Sequence, residues 1–410
     1  MESPPILLQE LPTDRPRLRI AVVTETYPPE INGVAMTIGR VVQGLQQRQH
    51  RIQLIRPRQS RSDQAAQGES LEEVLARGLP IPRYDSLKVG LPAKSALVRL
   101  WSLRRPDIVH VVTEGPLGWS ALAAARKLKL PVSTDFHTNF HRYSRHYGVG
   151  WLEKPIALYL RKFHNRAGCT MVPTEAVRAD LRRHGYRNVE VVARGVDTTL
   201  FHPAKRSEEL RCQWGAGPED WVVIHVGRLA PEKNLPLLFQ AFDALAARRP
   251  GARLVLVGDG PDGSALRARH PRHVFAGMRQ GEDLAAHYAS GDLFLFPSLT
   301  ETYGNVTLEA MASGLPVVAY DYAAAAEYIR HGVNGLLAPY DDGAAFVGLA
   351  AGLAGDGRRP AELGARSRQT AQGLTWERIM ESFERVLLEQ IRKQEAHHFL
   401  ADSAAAQPDR

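Results

Sequence analysis

The sequence predicts an α/β protein of two doubly wound, parallel-sheet domains facing each other across a central cleft. Three observations lead there. The chain has 410 residues, more than one ordinary core accommodates. Short apolar runs alternate with helical stretches, as parallel βαβ units require. The alternation then starts afresh near residue 221, after a segment, 189–203, that reads as a last strand running into a linker. In such sheets ligands sit beyond the carboxyl ends of the strands.

The elements follow in order. Residues 1–17 carry four prolines and an apolar stretch too short for a signal peptide, so they read as a flexible tail. Arg19–Val23 is a buried strand that ends in the polar loop ETYPPEINGV; a helical pattern over 35–47 and a strand at Ile52–Ile55 come next. Strands at 107–112, 131–136 and 169–174 alternate with helices over 118–128, 152–167 and 175–184, completing a first domain over 18–196. Strands at 221–228, 253–258, 292–298 and 316–320 mark a second domain over 197–375. An amphipathic helix over 376–397 is expected to pack back on the first domain, followed by a flexible polar tail, 398–410.

Composition narrows the function. A hydrophobic content of 44% and a charged content of 23% suit a soluble enzyme. No run reaches the roughly 18–20 apolar residues of a membrane-spanning helix. Two cysteines, Cys169 and Cys212, give neither a disulfide framework nor metal-ligand spacing, so a cytoplasmic setting is expected. The net charge of +8 is lopsided: residues 1–196 hold 30 Lys and Arg against 17 Asp and Glu, while 197–410 hold 22 against 27. No nucleic-acid motif accompanies the basic half. An anionic membrane surface, an acidic acceptor and plain solubility remain open there.

The loops at strand ends carry the chemistry. In SLTETYGNVTLEAMASGLP the strand 292–298 gives way to a helix starting near Gly304-Asn305 and stopped by Gly314 and Pro316. A helix start is an anion site, and carboxylates accept hydrogen bonds from sugar hydroxyls. Glu301 and Glu309, with no obvious lysine partner nearby, therefore suit a sugar and a ribose on either side of a diphosphate. GRLAPEKN adds Arg228 and Lys233 at the end of the second domain's first strand, two cations able to neutralise a diphosphate. Asn32, Gly33 and Val34 form a strand-to-helix turn in the first domain, and His137 ends another strand in DFHTNFH. The run GDGPDG, 258–263, satisfies the dinucleotide fingerprint G-x-G-x-x-G. It stands on the second strand of its domain, and its acids oppose a pyrophosphate. No phosphate loop, nucleophile elbow, H-E-x-x-H or D-x-D pair occurs, so metal-independent chemistry without a cofactor is expected.

INGV, the histidine of DFHTNFH, GRLAPEKN, GDGP and ETYGNVTLE, in this order over residues 18–395, resemble the retaining glycosyltransferases of family four, with a two-Rossmann B-type fold. RPDIVHVVTEGPLG and ARGVDTTLFHP are similar to bacterial GDP-mannose-dependent mannosyltransferases acting on phosphatidylinositol mannosides, and to sulfoquinovosyl-diacylglycerol synthases. The resemblance implies that Gly33 and its neighbours approach the donor diphosphate and that His137 contacts the transferred sugar. It further implies that Arg228 and Lys233 bind the diphosphate, and that Glu301 contacts the sugar. The backbone of Tyr303, Gly304, Asn305 and Val306 would contact sugar and phosphate, Glu309 the ribose, and Gly277-Met278 the base. The partners implied are a nucleotide sugar and a lipid or glycan acceptor. A UDP-sugar-dependent diacylglycerol glycosyltransferase and a catalytically silent nucleotide-binding protein are the alternatives.

The segment 136–166 interleaves Phe136, Phe140, Tyr143, Tyr147, Trp151, Tyr159 and Phe163 with Arg142, Arg145, Lys154, Arg161, Lys162 and Arg166. Aromatics beside long cations suit an anionic interface. A peripheral enzyme docking its N-terminal domain on the inner face of the cell membrane is therefore expected.

Overall fold

The computed structural model describes residues 16–30, 32–60, 62–81, 84–137, 153–301, 303–355 and 357–405. The first half builds a seven-stranded parallel sheet. Its strands are β1 (Arg19–Val23), β2 (Arg51–Pro57), β3 (Leu71–Ala76), β6 (Ile108–Val111), β7 (Val132–Asp135), β8 (Cys169–Val172) and β9 (Val189–Val191). They run in the order β3-β2-β1-β6-β7-β8-β9. An antiparallel hairpin, β4 (Gly78–Ile81) and β5 (Tyr84–Gly90), stands apart from it. The second half repeats the plan with β10 (Val222–Val226), β11 (Arg253–Val257), β12 (Val274–Gly277), β13 (Leu293–Phe296), β14 (Val317–Tyr320) and β15 (Leu336–Ala338), ordered β12-β11-β10-β13-β14-β15.

Both central strands are buried along nearly their whole length, since helices cover both faces: β10 reads Val-Val-Ile-His-Val with all five residues buried. Separate apolar clusters lie on the two sides of each sheet. Ile224, Phe294 and Met311 mark one side of the second sheet, and Leu256, Leu238 and Phe346 the other. Each sheet reverses its strand order once, between β1 and β6 and between β10 and β13, which opens a crevice at the carboxyl ends.

The chain crosses between the halves twice, and the crossings pair: Val196 bridges Thr375, and Val196 N donates to Leu374 O at 2.9 Å. Arg40 of the helix Gly33–Gln47 adds an ion pair to Asp197 at 3.0 Å. The final helix, Trp376–Ala405, returns to the first half and buries Met380, Phe383 and Leu387 against Ile20, Val41 and Leu45. It runs to Ala405, past the expected start of a flexible tail at 398, because no glycine or proline interrupts the sequence before Pro408.

Candidate active site

The crevice of the second sheet holds the predicted cations and carboxylates. After β10, Pro231–Lys233 forms a 3-10 turn that Asn234 ends in the left-handed region, φ 52°. This turn is bonded to the loop after β13. Leu299 N donates to Glu232 O at 3.0 Å, and Ser298 Oγ donates to Glu301 Oε1 at 2.8 Å. Lys233 Nζ ion-pairs with the same Glu301 oxygen, the two side chains being 12% and 14% exposed. Glu301 thus has a lysine partner that the fold brings from 68 residues away. Arg228 keeps 40% of its side chain exposed, with the buried Glu232 carboxylate 3.9 Å from NH1.

The helix Asn305–Ala312 begins beside this cluster. Gly304 precedes it at φ 94°, ψ 60°, a conformation that suits glycine, and no side chain caps the helix. Thr307 N donates to Gly304 O at 3.0 Å, and among the described residues no side chain takes up the N–H groups before it, the arrangement that suits an anion. Asn305 Oδ1 is buried without a hydrogen-bond partner among the described residues. The loop is held from three sides: Tyr322 OH donates to Glu301 O (2.9 Å), Ala324 N to Tyr303 O (2.8 Å) and Tyr303 OH to Arg194 O (2.8 Å). Tyr303 is 1% exposed, so its phenol is not presented to the crevice. One turn on, Glu309 accepts a hydrogen bond from Tyr288 OH at 2.8 Å. Burial pushes its carboxyl up to about 7, against the lowering effect of that bond.

The remaining predicted contacts stand on other strand ends. Asn32 caps the helix Gly33–Gln47, its Oδ1 accepting from Val34 N (3.1 Å) and Ala35 N (2.8 Å). A Cβ at Gly33 would meet nothing within 4 Å, so the backbone there is open to a close neighbour. Gly277 is equally open, and Met278 is 53% exposed. The glycines of GDGPDG have a packing role: a Cβ at Gly258 would lie 2.0 Å from Gly227 O, and one at Gly260 2.4 Å from Leu229 O. They let the loops after β10 and β11 touch, which accounts for the fingerprint without a dinucleotide.

His137 is 7% exposed, immediately beyond β7. Its Nε2 lies 3.1 Å from Asp135 Oδ2, and Arg194 donates to its Nδ1 at 2.6 Å. His110 Nε2 lies 3.4 Å from the same Asp135 oxygen. Burial alone would push Asp135 up; the nearby His110 and His137 rings outweigh it and hold the carboxyl well below its usual range, although neither Nε2 meets Asp135 in hydrogen-bond geometry. Burial pushes His137 down, against the pull of Asp135. The network thus assigns a neutral His137 that carries its proton on Nε2. Asp135 and Arg194 went unnoticed in the sequence. D-x-H at a strand end puts both side chains on one face and could have flagged Asp135. Nothing in ARGVD distinguishes Arg194 from a solvated linker residue.

Of the basic-aromatic segment, Arg142, Arg145 and Trp151, with Phe140, Tyr143 and Tyr147, lie outside the described residues. Lys154, Arg161, Lys162 and Arg166 are exposed, as are Leu158 (56%) and Tyr159 (41%), on or next to the helix Glu153–His164. Phe136 (1%) and Phe163 (0%) are instead core residues. The strand period and the helix's inner face turn both inward, against Tyr186 and Trp119 respectively.

Two doubly wound sheets, with Arg228, Lys233 and Glu301 gathered beside a helix start at the strand ends, suit a transferase that handles a nucleotide sugar. Comparison agrees. Residues 31–200 match the family Glycosyltransferase Family 4, and residues 220–356 match Glycosyl transferases group 1. The chain is 34% identical over 364 residues to a GDP-mannose-dependent alpha-mannosyltransferase of Corynebacterium glutamicum, covering 88% of this chain and 86% of that one. A sulfoquinovosyl transferase of Arabidopsis thaliana is 39% identical over 251 residues, 60% of this chain and 48% of its own. Among solved structures, sucrose-phosphate synthase from Thermosynechococcus elongatus superimposes with a TM-score of 0.75 at 18% identity, covering 92% of this chain and all of the other. The chain belongs to glycosyltransferase family four and is a glycosyltransferase with a nucleotide-sugar donor. Among the described residues no helix is long and apolar enough to cross a membrane.

Proposed function

We propose that the enzyme transfers mannose from GDP-mannose, with retention of configuration and without a metal ion, to a lipid-borne acceptor. The observation that carries the donor chemistry is the single cluster of Arg228, Lys233, Glu301 and the uncapped helix start at Gly304. The choice of donor is supported by the alpha-mannosyltransferase relative. GDP-mannose is an α-linked donor, so an α product means retention. In this reading residues 18–196 form the acceptor side and 197–375 the donor side. The diphosphate sits on the helix start between Arg228 and Lys233, Glu301 takes the sugar hydroxyls, Glu309 the ribose, and Met278 borders the base. The backbone of Gly33 closes on the phosphates from the other half. The bond from C1 to the β-phosphate oxygen breaks as the acceptor oxygen bonds C1 on the same face. The acceptor's proton passes to the departing phosphate, whose charge the two cations offset. Glu301 and Glu309 grip the donor, and neither serves as an acid or base.

The lipid acceptor is supported by the exposed cations and apolar side chains at the helix Glu153–His164. Two measurements test the whole. Purified enzyme given a panel of nucleotide sugars should release nucleoside diphosphate fastest from GDP-mannose; a UDP-sugar in first place would overturn the donor. Co-sedimentation with anionic vesicles should be salt-sensitive and weaken when Arg161 and Lys162 become Glu. Equal recovery in the supernatant with and without vesicles would mean a soluble acceptor.

A further inference from the structure

The linker between the halves carries a polar residue placed as no mere spacer would be. Arg194 is 8% exposed and lies just before the paired crossings at Val196 and Thr375. Its guanidinium reaches into the first half and donates to His137 Nδ1 at 2.6 Å. Its carbonyl accepts from Tyr303 OH of the donor loop at 2.8 Å, and its guanidinium carbon sits 5.5 Å from the centre of the Tyr303 ring. One residue thus holds both His137 and the loop that starts the donor helix. Among the described residues no carboxylate forms an ion pair with Arg194, and a buried cation so placed is costly. Hydrogen bonding to a neutral imidazole and stacking over an aromatic ring offset only part of that cost.

We infer that Arg194 is a positioning residue for the transfer: it fixes the tautomer and ring orientation of His137 and registers them to the donor loop. The geometry gives the reason. With Arg194 donating to Nδ1, the ring proton must sit on Nε2, toward Asp135. The charged groups that act on the ring are Asp135 on β7, Arg194 itself and, at longer range, Glu114 beyond β6, whose carboxylate lies 3.4 Å from His164, with His110 of β6 on the same Asp135 oxygen. Two carboxylates favour the imidazolium and the guanidinium opposes it. Taking Arg194 away therefore frees the ring to turn and to take up a second proton, while the donor cluster of Arg228, Lys233 and Glu301 keeps its own bonds.

The inference rests on His137 serving the transfer, and the experiment separates the two. Nitrogen-15 spectra of histidine-labelled enzyme, with the His137 signals assigned by their loss in H137N, report the tautomer without any assay. The expected result is an unprotonated Nδ1 and protonated Nε2 across neutral pH in the wild type. R194K, which keeps a donor, should look the same, whereas R194Q should titrate at higher pH. With GDP-mannose as donor, R194Q should lower kcat by about 10²-fold, as for a misplaced reacting geometry. Its GDP affinity should stay within about twofold of wild type, and the acid limb of its kcat–pH profile should move upward; R194K should recover most of the rate. Circular dichroism confirms that each variant is folded, and R194K keeps the test valid should R194Q fail to fold. Identical His137 titration in wild type and R194Q would overturn the inference. So would full kcat in R194Q while H137N is inactive. Full kcat in H137N would instead overturn the role of His137 itself.

Discussion

With Glu309 holding the ribose, as proposed, donor binding is tied to pH. The Glu309 carboxyl titrates at about 7, raised by burial from an ordinary 4.5, so at neutral pH it is close to half protonated. Ribose hydroxyls donating to it favour the ionised form. Binding GDP should therefore release a proton, up to about half a proton per site at pH 7. Affinity should fall by up to about tenfold per pH unit below 7, until the pKa in the complex is reached. The same shift bears on stability. A folded pKa above the unfolded one contributes stability that is fully present below about 4.5 and lost as pH rises through about 7. The difference of about 2.5 units corresponds to about 3–4 kcal/mol at most, and less after solvent screening. Titration calorimetry with GDP between pH 5.5 and 8.5, in buffers of different ionisation enthalpy, measures the proton count. Comparison with E309Q cancels the nucleotide's own titration. E309Q should keep only the nucleotide's own pH dependence and, relative to wild type, should gain stability at pH 8 over pH 4.5. The same proton release in E309Q as in wild type would refute the reasoning.

R228A and K233A should each reduce kcat/KM for the donor by about 10²–10³-fold, measured by nucleoside diphosphate release; wild-type rates in both would place the diphosphate elsewhere. E301Q should lower kcat more than GDP affinity, since a neutral amide still accepts from Lys233 and Ser298 but holds the sugar less well. G260A should destabilise the fold by about 1–3 kcal/mol in chemical denaturation, its Cβ meeting the Leu229 backbone at 2.4 Å, while NAD shows no saturable binding to either form. Transfer should persist in excess EDTA, and a loss reversed by added divalent cation would show a metal requirement.

The sequence shows the parts that depend on local pattern. Apolar runs bounded by turn residues mark β1, β10 and β13, because buried parallel strands are continuously apolar. Gly304 and Gly314 bracket the donor helix, because left-handed positions select glycine. What it hides is pairing at a distance. The strand at Leu71–Ala76, whose LEEVLA pattern is acidic and only partly buried, and β12, with four half-buried residues, lack the apolar density that marks a strand. The sequence passes over the C-terminal helices Gly343–Leu353 and Arg359–Gln372 for a different reason: the first is so uniformly apolar, and the second so rich in arginine, that neither shows a clear stripe.

The active site divides along the same line. Each cation and carboxylate of the donor cluster was visible because it stands at the end of a recognisable strand, yet their partnership was not, since Lys233 and Glu301 meet only once β10 and β13 lie side by side. That adjacency has a chemical consequence. Lys233 and Glu301 neutralise each other, so neither is left as an isolated charge in a half-buried crevice. In the proposed function an arriving nucleotide sugar would supply both replacements at once: phosphate oxygens for Lys233 and hydroxyl donors for Glu301. A nucleoside diphosphate lacking the sugar can replace only the first. Lys233 must then be shared between carboxylate and phosphate, and K233M should weaken GDP less than it weakens the intact nucleotide sugar.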